Sequence, residues 1–185
     1  MMGAMLRRVI PRVVIPLLAL SSVLLGGAAC SGKQAGEIVR FSEGKRPAAP
    51  AISGDLLGGG SYDLATKQGK VVVINFWGSW CAPCRAEADD LEAVHKDRPE
   101  VEFLGINIRD ERDKAMAFAS GRNSYPSIFD PAGRQALKFE DVPPNTIPAT
   151  IIVDTQGKIA IVIRKAILKQ DLASMVAEVT GVALA

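Results

Sequence analysis

The residues best suited to chemistry in this sequence are two cysteines, Cys81 and Cys84, in the segment WCAPCR. Two intervening residues allow the sulfurs to approach within disulfide distance across the first turn of a helix. A cysteine at a helix N-terminus is also favoured as a thiolate by unpaired N–H groups and by the positive end of the helix dipole. We therefore predict that Cys81 attacks disulfides as a nucleophile and that Cys84 resolves the mixed disulfide that forms.

Two other uses of this cysteine pair fit the residues less well. A zinc ion needs four ligands, and the only further candidates are Cys30 and His95, the single histidine of the chain. A purely structural disulfide that closes so short a loop would add little stability. We expect His95 to be a surface or helix-packing residue, and we expect neither a metal nor a cofactor other than the redox-active disulfide itself.

The cysteine pair lies between a predicted strand and a predicted helix. Residues 71–76 form an apolar, largely β-branched run, which is typical of a strand buried on both faces of a parallel sheet, and residues 82–96 predict a helix. The other expected elements are strands at 101–108, 125–129, 149–153 and 158–163, and helices at 110–120 and 168–179. The last two strands predict an antiparallel hairpin, and Asp110 is a candidate N-cap. This order predicts an α/β domain with a mixed central sheet and helices on both faces.

The first 29 residues predict a signal peptide. Three arginines and no acidic residue precede an apolar stretch at 13–25, which is shorter than the roughly 20 residues that span a membrane. Small residues then lead to Cys30 and resemble the lipobox of bacterial lipoproteins, although Gly27 stands where such proteins usually carry leucine. Lipid attachment at Cys30 is the prediction; ordinary cleavage to a secreted protein and an uncleaved anchor are the alternatives. Each of them places the domain at or beyond the outer face of the cytoplasmic membrane.

Composition separates the remaining chain into a tether and one domain. Residues 30–50 are predicted to hold the lipid-attachment cysteine and a flexible tether, because they are rich in Gly, Ser, Lys, Pro and Ala. Residues 51–185 are long enough for a single domain with one core. Setting the three signal-peptide arginines aside leaves 19 basic against 20 acidic residues. This near-neutral balance argues against nucleic-acid binding.

Two motifs in the predicted domain resemble those of the TlpA/ResA-type thioredoxin-like thiol–disulfide oxidoreductases of the redoxin family. The first motif is GKVVVINFWGSWCAPCRAE at residues 69–87, and the second is TIPATIIVD at residues 146–154. The resemblance covers residues 50–185. It implies a thioredoxin fold with a family-typical insertion around residues 110–120.

The resemblance also implies roles for individual residues. Pro148 matches the family's cis-proline beside the sulfurs, so the Ile147–Pro148 bond is expected to be cis and the preceding backbone to pair with substrate. Trp80 is expected to offer an apolar landing surface for the substrate. Glu87 matches the acidic residue of this branch, and a carboxylate in partly apolar surroundings can relay the proton of Cys84. The alternative for Glu87 is a solvated carboxylate on the helix surface.

The implied activity is that of a membrane-tethered dithiol reductant outside the cytoplasm. Its expected substrates are disulfide-containing exported proteins, with apocytochrome c as a candidate, and its expected electron donor is a membrane thiol carrier. The same site could run in reverse as an oxidant that introduces disulfides into exported proteins. A non-catalytic thioredoxin-like binding lipoprotein is the alternative from another class.

Overall fold

A computed structural model describes residues 37–140 and 146–183 of the chain. The predicted signal peptide and the predicted lipidation of Cys30 lie outside these ranges and remain predictions. Within the described ranges, none of the helices combines the length and the apolar character that crossing a membrane requires.

The described residues form eight strands and three α-helices. In chain order these are β1 (Ile38–Arg40), β2 (Ser53–Asp55), β3 (Ser61–Asp63), β4 (Val72–Trp77), α1 (Ala82–Asp97), β5 (Glu102–Ile108), α2 (Arg112–Ala119), β6 (Ser127–Asp130), β7 (Ala149–Val153), β8 (Ile159–Ile163) and α3 (Lys169–Thr180). Short 3₁₀ helices lie at Glu43–Lys45, Leu64–Lys67 and Ala136–Lys138. All of the strands and helices predicted from residue 71 onward are therefore present, with ends shifted by a few residues.

Six strands form one mixed sheet in the order β1-β8-β7-β4-β5-β6. Strands β4, β5 and β6 run parallel, whereas β7 is antiparallel to β4 and pairs with β8 in the predicted hairpin. Every residue of β4 is buried, as its β-branched composition predicts. Strands β2 and β3 form a separate antiparallel pair that the sequence did not predict.

The predicted placement of helices on both faces of the sheet needs correction. Helices α1 and α3 pack together on one face of the sheet, where Leu91 and Leu172 lie in the same core cluster. Helix α2 packs on that face too. Successive side chains of a strand point to opposite faces, so Trp77 lies on the face opposite to Phe76. Phe118 of α2 contacts Trp77 and therefore lies on the same face as α1 and α3. The reason is topological. Right-handed connections put α1 and α2 on one side when the strand order advances in one direction from β4 to β6.

The opposite face is covered by short elements. Among the described residues, its core cluster contains no α-helical side chain and instead includes Ile52, Tyr62, Ala136 and Phe139. Phe139 meets Phe76 of the central strand edge to face, with ring centroids 5.4 Å apart. The hairpin β2–β3 and two 3₁₀ helices thus take the place of a second helical layer.

The boundary predicted between tether and domain also needs correction. Residues 38–40 form the edge strand β1, which pairs with β8, and Ala48 bridges to Lys158. Val39 and Phe41 pack against the core. Residues 37–50 therefore belong to the domain. The composition of the predicted tether as a whole did not reveal the three-residue strand that pairs with the sheet.

Candidate active site

Helix α1 begins directly after Cys81, and the two cysteines are joined in a disulfide. Cys81 is the N-cap residue, its sulfur accepts a hydrogen bond from the backbone N–H of Cys84 at 3.2 Å, and Pro83 lies in the first turn. The two Cα atoms are 5.3 Å apart. The cysteines are almost equally buried, at 4% and 3% exposure, so position and not exposure distinguishes them. The N-cap position favours Cys81 as the thiolate.

The disulfide is surrounded by apolar side chains from three parts of the fold. One buried cluster contains both cysteines together with Trp77, Ala88 and Phe118. Trp77 is itself fixed there, because its indole N–H donates to Ser127 Oγ at 3.1 Å. Low polarity around the sulfurs excludes water from them and strengthens nearby electrostatic interactions.

Trp80 is the exposed aromatic residue next to the disulfide. Its side chain is 55% exposed, yet its indole N–H donates to the carbonyl of Arg109 at 2.8 Å. Gly78 leaves room for the ring, because a Cβ atom there would lie only 2.8 Å from Trp80 Nε1. Trp80 is therefore a fixed apolar surface beside Cys81, which is the geometry that a substrate-contact role requires.

Glu87 lies one turn after Cys84 on α1 and is buried, with an exposure of 2%. Asn75 Nδ2 donates to one carboxylate oxygen at 2.9 Å, and the backbone N–H of Ile167 donates to the other at 3.0 Å. Burial raises the pKa of Glu87 to about 7, against the lowering effect of these two hydrogen bonds, and Asp90 adds a smaller upward contribution. The solvated alternative for this carboxylate is wrong. A group that titrates near neutrality at this position suits proton exchange with Cys84.

The second sequence motif reaches the site through the start of β7. The Ile147–Pro148 peptide bond is cis, as predicted. Ile147 packs against the apolar cluster that contains both cysteines, and Pro148 is buried beside it in the chain. Thr150 Oγ1 accepts a hydrogen bond from Asn75 Nδ2 at 3.1 Å, so the same amide links this strand to Glu87. The fold thus brings both motifs to one place.

The sequence missed the part played by Asp110. Its carboxylate accepts hydrogen bonds from the backbone N–H and the hydroxyl of Ser79, and from Asn107 Nδ2. Burial by itself would raise the pKa of Asp110, but the hydrogen bonds from Ser79 and Asn107 hold it below its usual value. The helix N-cap is Glu111, not Asp110 as predicted, and Glu111 makes no side-chain capping bond.

The described ranges also bear on the metal-site alternative for the cysteines and on the role predicted for His95. No group of three or more His, Cys, Asp and Glu side chains there lies close enough to hold a metal ion. His95 packs against the rings of Phe103 and Tyr125, with centroids 5.2 Å and 5.5 Å away. Of the two roles predicted for His95, on the surface or in helix packing, these ring contacts show the packing role.

Comparison with known proteins identifies the family to which this fold and site belong. Residues 46–162 match the AhpC/TSA family. The chain belongs to the AhpC/TSA family. It is similar over 115 residues, with 34% identity, to the thiol:disulfide interchange protein HelX of Rhodobacter capsulatus. The matched segment covers 60% of this chain and 62% of that protein. The chain is 30% identical over 120 residues to the thiol–disulfide oxidoreductase ResA of Geobacillus kaustophilus, covering 63% of this chain and 67% of that protein.

A solved structure in this group supports the fold. A secreted thiol–disulfide isomerase from Corynebacterium glutamicum superimposes with a TM-score of 0.70 and 37% identity, covering 77% of this chain and 88% of that one. The predicted thioredoxin fold and the predicted resemblance to ResA-type proteins are confirmed. The match spans less than two thirds of the length of HelX, and the AhpC/TSA segment itself begins at residue 46, within the segment that the sequence assigned to the tether.

Proposed function

We propose that this AhpC/TSA-family domain is a thiol–disulfide oxidoreductase that reduces disulfides of exported proteins outside the cytoplasmic membrane. The observation that carries the proposal is the Cys81–Cys84 disulfide at the N-terminus of α1, one helical turn from the buried carboxylate of Glu87. The names of similar proteins, which include thiol:disulfide interchange proteins and a secreted thiol–disulfide isomerase, support the same chemistry and compartment.

The proposed reaction transfers two electrons from the dithiol form to a substrate disulfide. The Cys81 thiolate attacks one substrate sulfur, a mixed disulfide forms, and the other substrate sulfur leaves as a thiolate that takes a proton from water. Cys84 then loses its proton and attacks the Cys81 sulfur. The Cys81–Cys84 disulfide forms, and the second substrate sulfur leaves as a thiolate and is protonated. The substrate is reduced to a dithiol and the enzyme is oxidised.

Glu87 is proposed to accept the proton of Cys84 in the second step. Its pKa of about 7 leaves it partly ionised near neutral pH, so it can accept a proton and later return it. The hydrogen bonds from Asn75 and Ile167 hold the carboxylate in place while its charge changes. An Asn at position 75 can support this proton transfer without itself titrating.

The same carboxylate favours the reducing direction. An ionised Glu87 close to the cysteines raises the free energy of the thiolate form, and a couple whose thiolate is less stabilised is a weaker oxidant. The domain is therefore proposed to donate electrons, with a membrane thiol carrier restoring the dithiol. Apocytochrome c is a candidate among the disulfide-containing substrates, and lipid attachment at Cys30 would hold the domain at the outer face of the membrane.

The test of the activity is reduction of a protein disulfide by the dithiol form. Wild-type protein is expected to reduce insulin disulfides, and Cys81→Ala is expected to abolish the reaction while leaving the fold intact, as judged by circular dichroism. Insulin reduction that survives Cys81→Ala would overturn the enzyme assignment. The direction is tested by the reduction potential, since a value well above about −200 mV would favour the oxidant.

The substrate is best identified by trapping. Cys84→Ser removes the resolving thiol, so a mixed disulfide on Cys81 should accumulate and be released by added dithiol. The matched control is the double variant Cys81→Ala/Cys84→Ser, which should trap nothing. Radiolabelled palmitate incorporated into wild-type protein but not into Cys30→Ser would establish the lipid anchor, and equal labelling of both would exclude it.

A further inference from the structure

A groove lies beside the disulfide, between the start of α1 and the helix α2. It has a volume of about 500 Å³, and its walls are formed by Ser79, Trp80, Arg85, Lys114, Ala117, Phe118 and Arg122. Three of these seven residues are cationic and none is acidic. We call this surface the cationic groove and define it by Arg85, Lys114 and Arg122, with Trp80 and Phe118 as its aromatic part.

The two arginines of the cationic groove are held against one ring. The guanidinium carbons of Arg85 and Arg122 lie 4.9 Å and 5.2 Å from the centroid of Phe118. Arg85 also donates from Nη1 to the carbonyl of Ser79 at 3.3 Å. Guanidinium groups over an aromatic ring keep N–H donors free at their edges, and these donors match the geometry of carboxylates.

The cations of the groove are only weakly neutralised by the protein. Arg122 pairs with Asp89 at 3.2 Å and Lys114 pairs with Glu111 at 2.7 Å, and both pairs are exposed on both sides. Arg85 has no ion pair with a carboxylate in the part of the chain that the structure describes. Exposed ion pairs contribute little and exchange readily, so an incoming anion can replace the protein carboxylates.

Position along the chain connects the groove to the reacting sulfur. Trp80, which lines the groove, is the residue directly before Cys81. A substrate segment whose cysteine has reached Cys81 can therefore continue across Trp80 into the groove. Carboxylates a few residues from the substrate cysteine would then meet Arg85, Lys114 and Arg122.

We infer that the cationic groove binds an acidic polypeptide segment adjacent to the substrate disulfide, so that acidic substrates are reduced preferentially. This inference rests on the proposed function, since it specifies the substrates of the same site. Charge complementarity of this kind raises the association rate more than it prolongs the complex, and it weakens as the salt concentration rises.

The test uses three synthetic peptides with the same intramolecular disulfide, flanked by glutamates, glutamines or lysines. Stopped-flow rates of their reduction by the wild-type dithiol form should be about fivefold faster for the glutamate peptide than for the glutamine peptide at low salt. The ratio should fall towards one in Lys114→Gln/Arg122→Gln. In Lys114→Glu/Arg122→Glu, the lysine peptide should be reduced faster than the glutamate peptide.

The matched control removes the same charge elsewhere. Arg40 and Lys96 also form ion pairs on the surface, but Arg40 lies on the edge strand β1 and Lys96 near the far end of α1. Arg40→Gln/Lys96→Gln should keep the wild-type ratio, which distinguishes the groove from an effect of net charge.

The outcomes separate the two claims. If wild-type protein reduces none of the peptides, the proposed function fails. If it reduces the glutamine peptide but shows no preference for glutamate, or if the groove variants keep the preference, the groove inference fails and the proposed function stands.

Discussion

Asp110 holds Ser79 by two hydrogen bonds, one from its backbone N–H and one from its hydroxyl at 2.8 Å. The neighbouring residues form a parallel contact, in which the Trp80 indole donates to the carbonyl of Arg109. Two consecutive residues after β5 thus hold the two consecutive residues that precede Cys81. Arg109 adopts a left-handed backbone conformation with φ 49°, which is uncommon for residues other than Gly. This conformation indicates that the loop is tightly constrained. This contact between two loops holds the two residues directly before the nucleophile.

Replacing the Asp110 carboxylate should loosen the loop before the nucleophile. Asp110→Asn removes the charge and one acceptor oxygen, so we expect a loss of about 1–3 kcal/mol in the free energy of unfolding. Ser79→Ala removes only the hydroxyl bond and should cost about 1 kcal/mol. Urea denaturation of the oxidised proteins measures both effects. A slower attack of Cys81 on a peptide disulfide in Asp110→Asn would show that the contact also positions the sulfur.

The control for this prediction is Asp113→Asn, which changes an exposed aspartate in the first turn of α2, three residues after Asp110. It should leave the unfolding free energy within about 0.5 kcal/mol of the wild type. Because the pKa of Asp110 is lowered in the fold, its stabilisation is present above the ordinary value of 3.8 and is lost as the pH falls below it. The difference in unfolding free energy between wild type and Asp110→Asn should become smaller as the pH falls. A difference that is constant with pH would show that the ionised Asp110 carboxylate is not the source of the stabilisation.

Glu87 should make the stability of the domain depend on pH in the opposite direction. Its pKa rises from 4.5 in the unfolded chain to about 7 in the fold. The burial of Glu87 therefore does not lower the free energy of unfolding below pH 4.5, and it lowers that free energy progressively as the pH rises through 7. The full shift corresponds to about 3 kcal/mol. Glu87→Gln cannot ionise, so its unfolding free energy relative to wild type should increase by that amount between acidic and mildly alkaline pH.

Denaturation curves of the oxidised proteins at about pH 4.5 and about pH 8 measure this difference. Glu43→Gln, which alters an exposed carboxylate in a 3₁₀ helix, serves as the control and should show no such trend. The Gln side chain has only one acceptor oxygen, and any unfolding free energy lost for that reason is the same at both pH values. This loss therefore cancels when the two pH values are compared. A difference between wild type and Glu87→Gln that does not change with pH would show that Glu87 titrates normally. If Glu87→Gln also leaves turnover and the titration of the cysteines unchanged, the proposed proton transfer is wrong.

The sequence predicted those features that depend on neighbouring residues. The buried strand β4, the helix that follows the cysteines and the hairpin β7–β8 each have a local signature in residue type and period. Glu87 could be identified because it follows Cys84 by three residues within the motif that resembles the TlpA/ResA-type proteins. The contact between Asp110 and Ser79 could not, because 31 residues separate them and an aspartate before a helix is equally typical of an N-cap.

The errors have similar physical causes. Strand β1 is three residues long, which is too short for a period of two to be recognised, and it is stabilised by its pairing with β8 and not by its own sequence. The assignment of helices to both faces followed the usual arrangement of an α/β sheet. Strand order decides the face on which each crossover helix lies, and that order is a long-range property.

Gly105 should be intolerant of any side chain because it lies beneath Trp77. A Cβ atom at this position would overlap Ser127 Oγ and lie 2.8 Å from Trp77 Nε1, where the two side chains share a hydrogen bond. Gly105→Ala should therefore destabilise the domain by about 2–3 kcal/mol through overpacking and loss of that bond. Thermal unfolding measures the effect. Gly44→Ala, where a Cβ would meet nothing within 4 Å, is the control and should be near neutral. Equal melting temperatures for the two variants would refute the packing argument.

A chain that begins at residue 46 should be less stable than one that begins at residue 37. The shorter chain lacks β1, and with it Ile38, Val39 and Phe41, which are partly buried against the core. It also loses Glu37, whose carboxylate pairs with the buried Arg164 at 2.6 Å. At about 1 kcal/mol for each partly buried side chain, we expect a loss of about 3 kcal/mol in the free energy of unfolding.

Urea denaturation of the two purified chains measures this loss, and Glu37→Gln in the longer chain separates the ion pair from the strand. Because Glu37 is half exposed, that single change should cost no more than about 1 kcal/mol. The larger share of the loss should follow the apolar residues of β1, since they cover the edge of β8 that the shorter chain exposes. Identical unfolding midpoints for the two chains would instead show that residues 37–45 add no stability and act as part of the flexible tether predicted from the sequence.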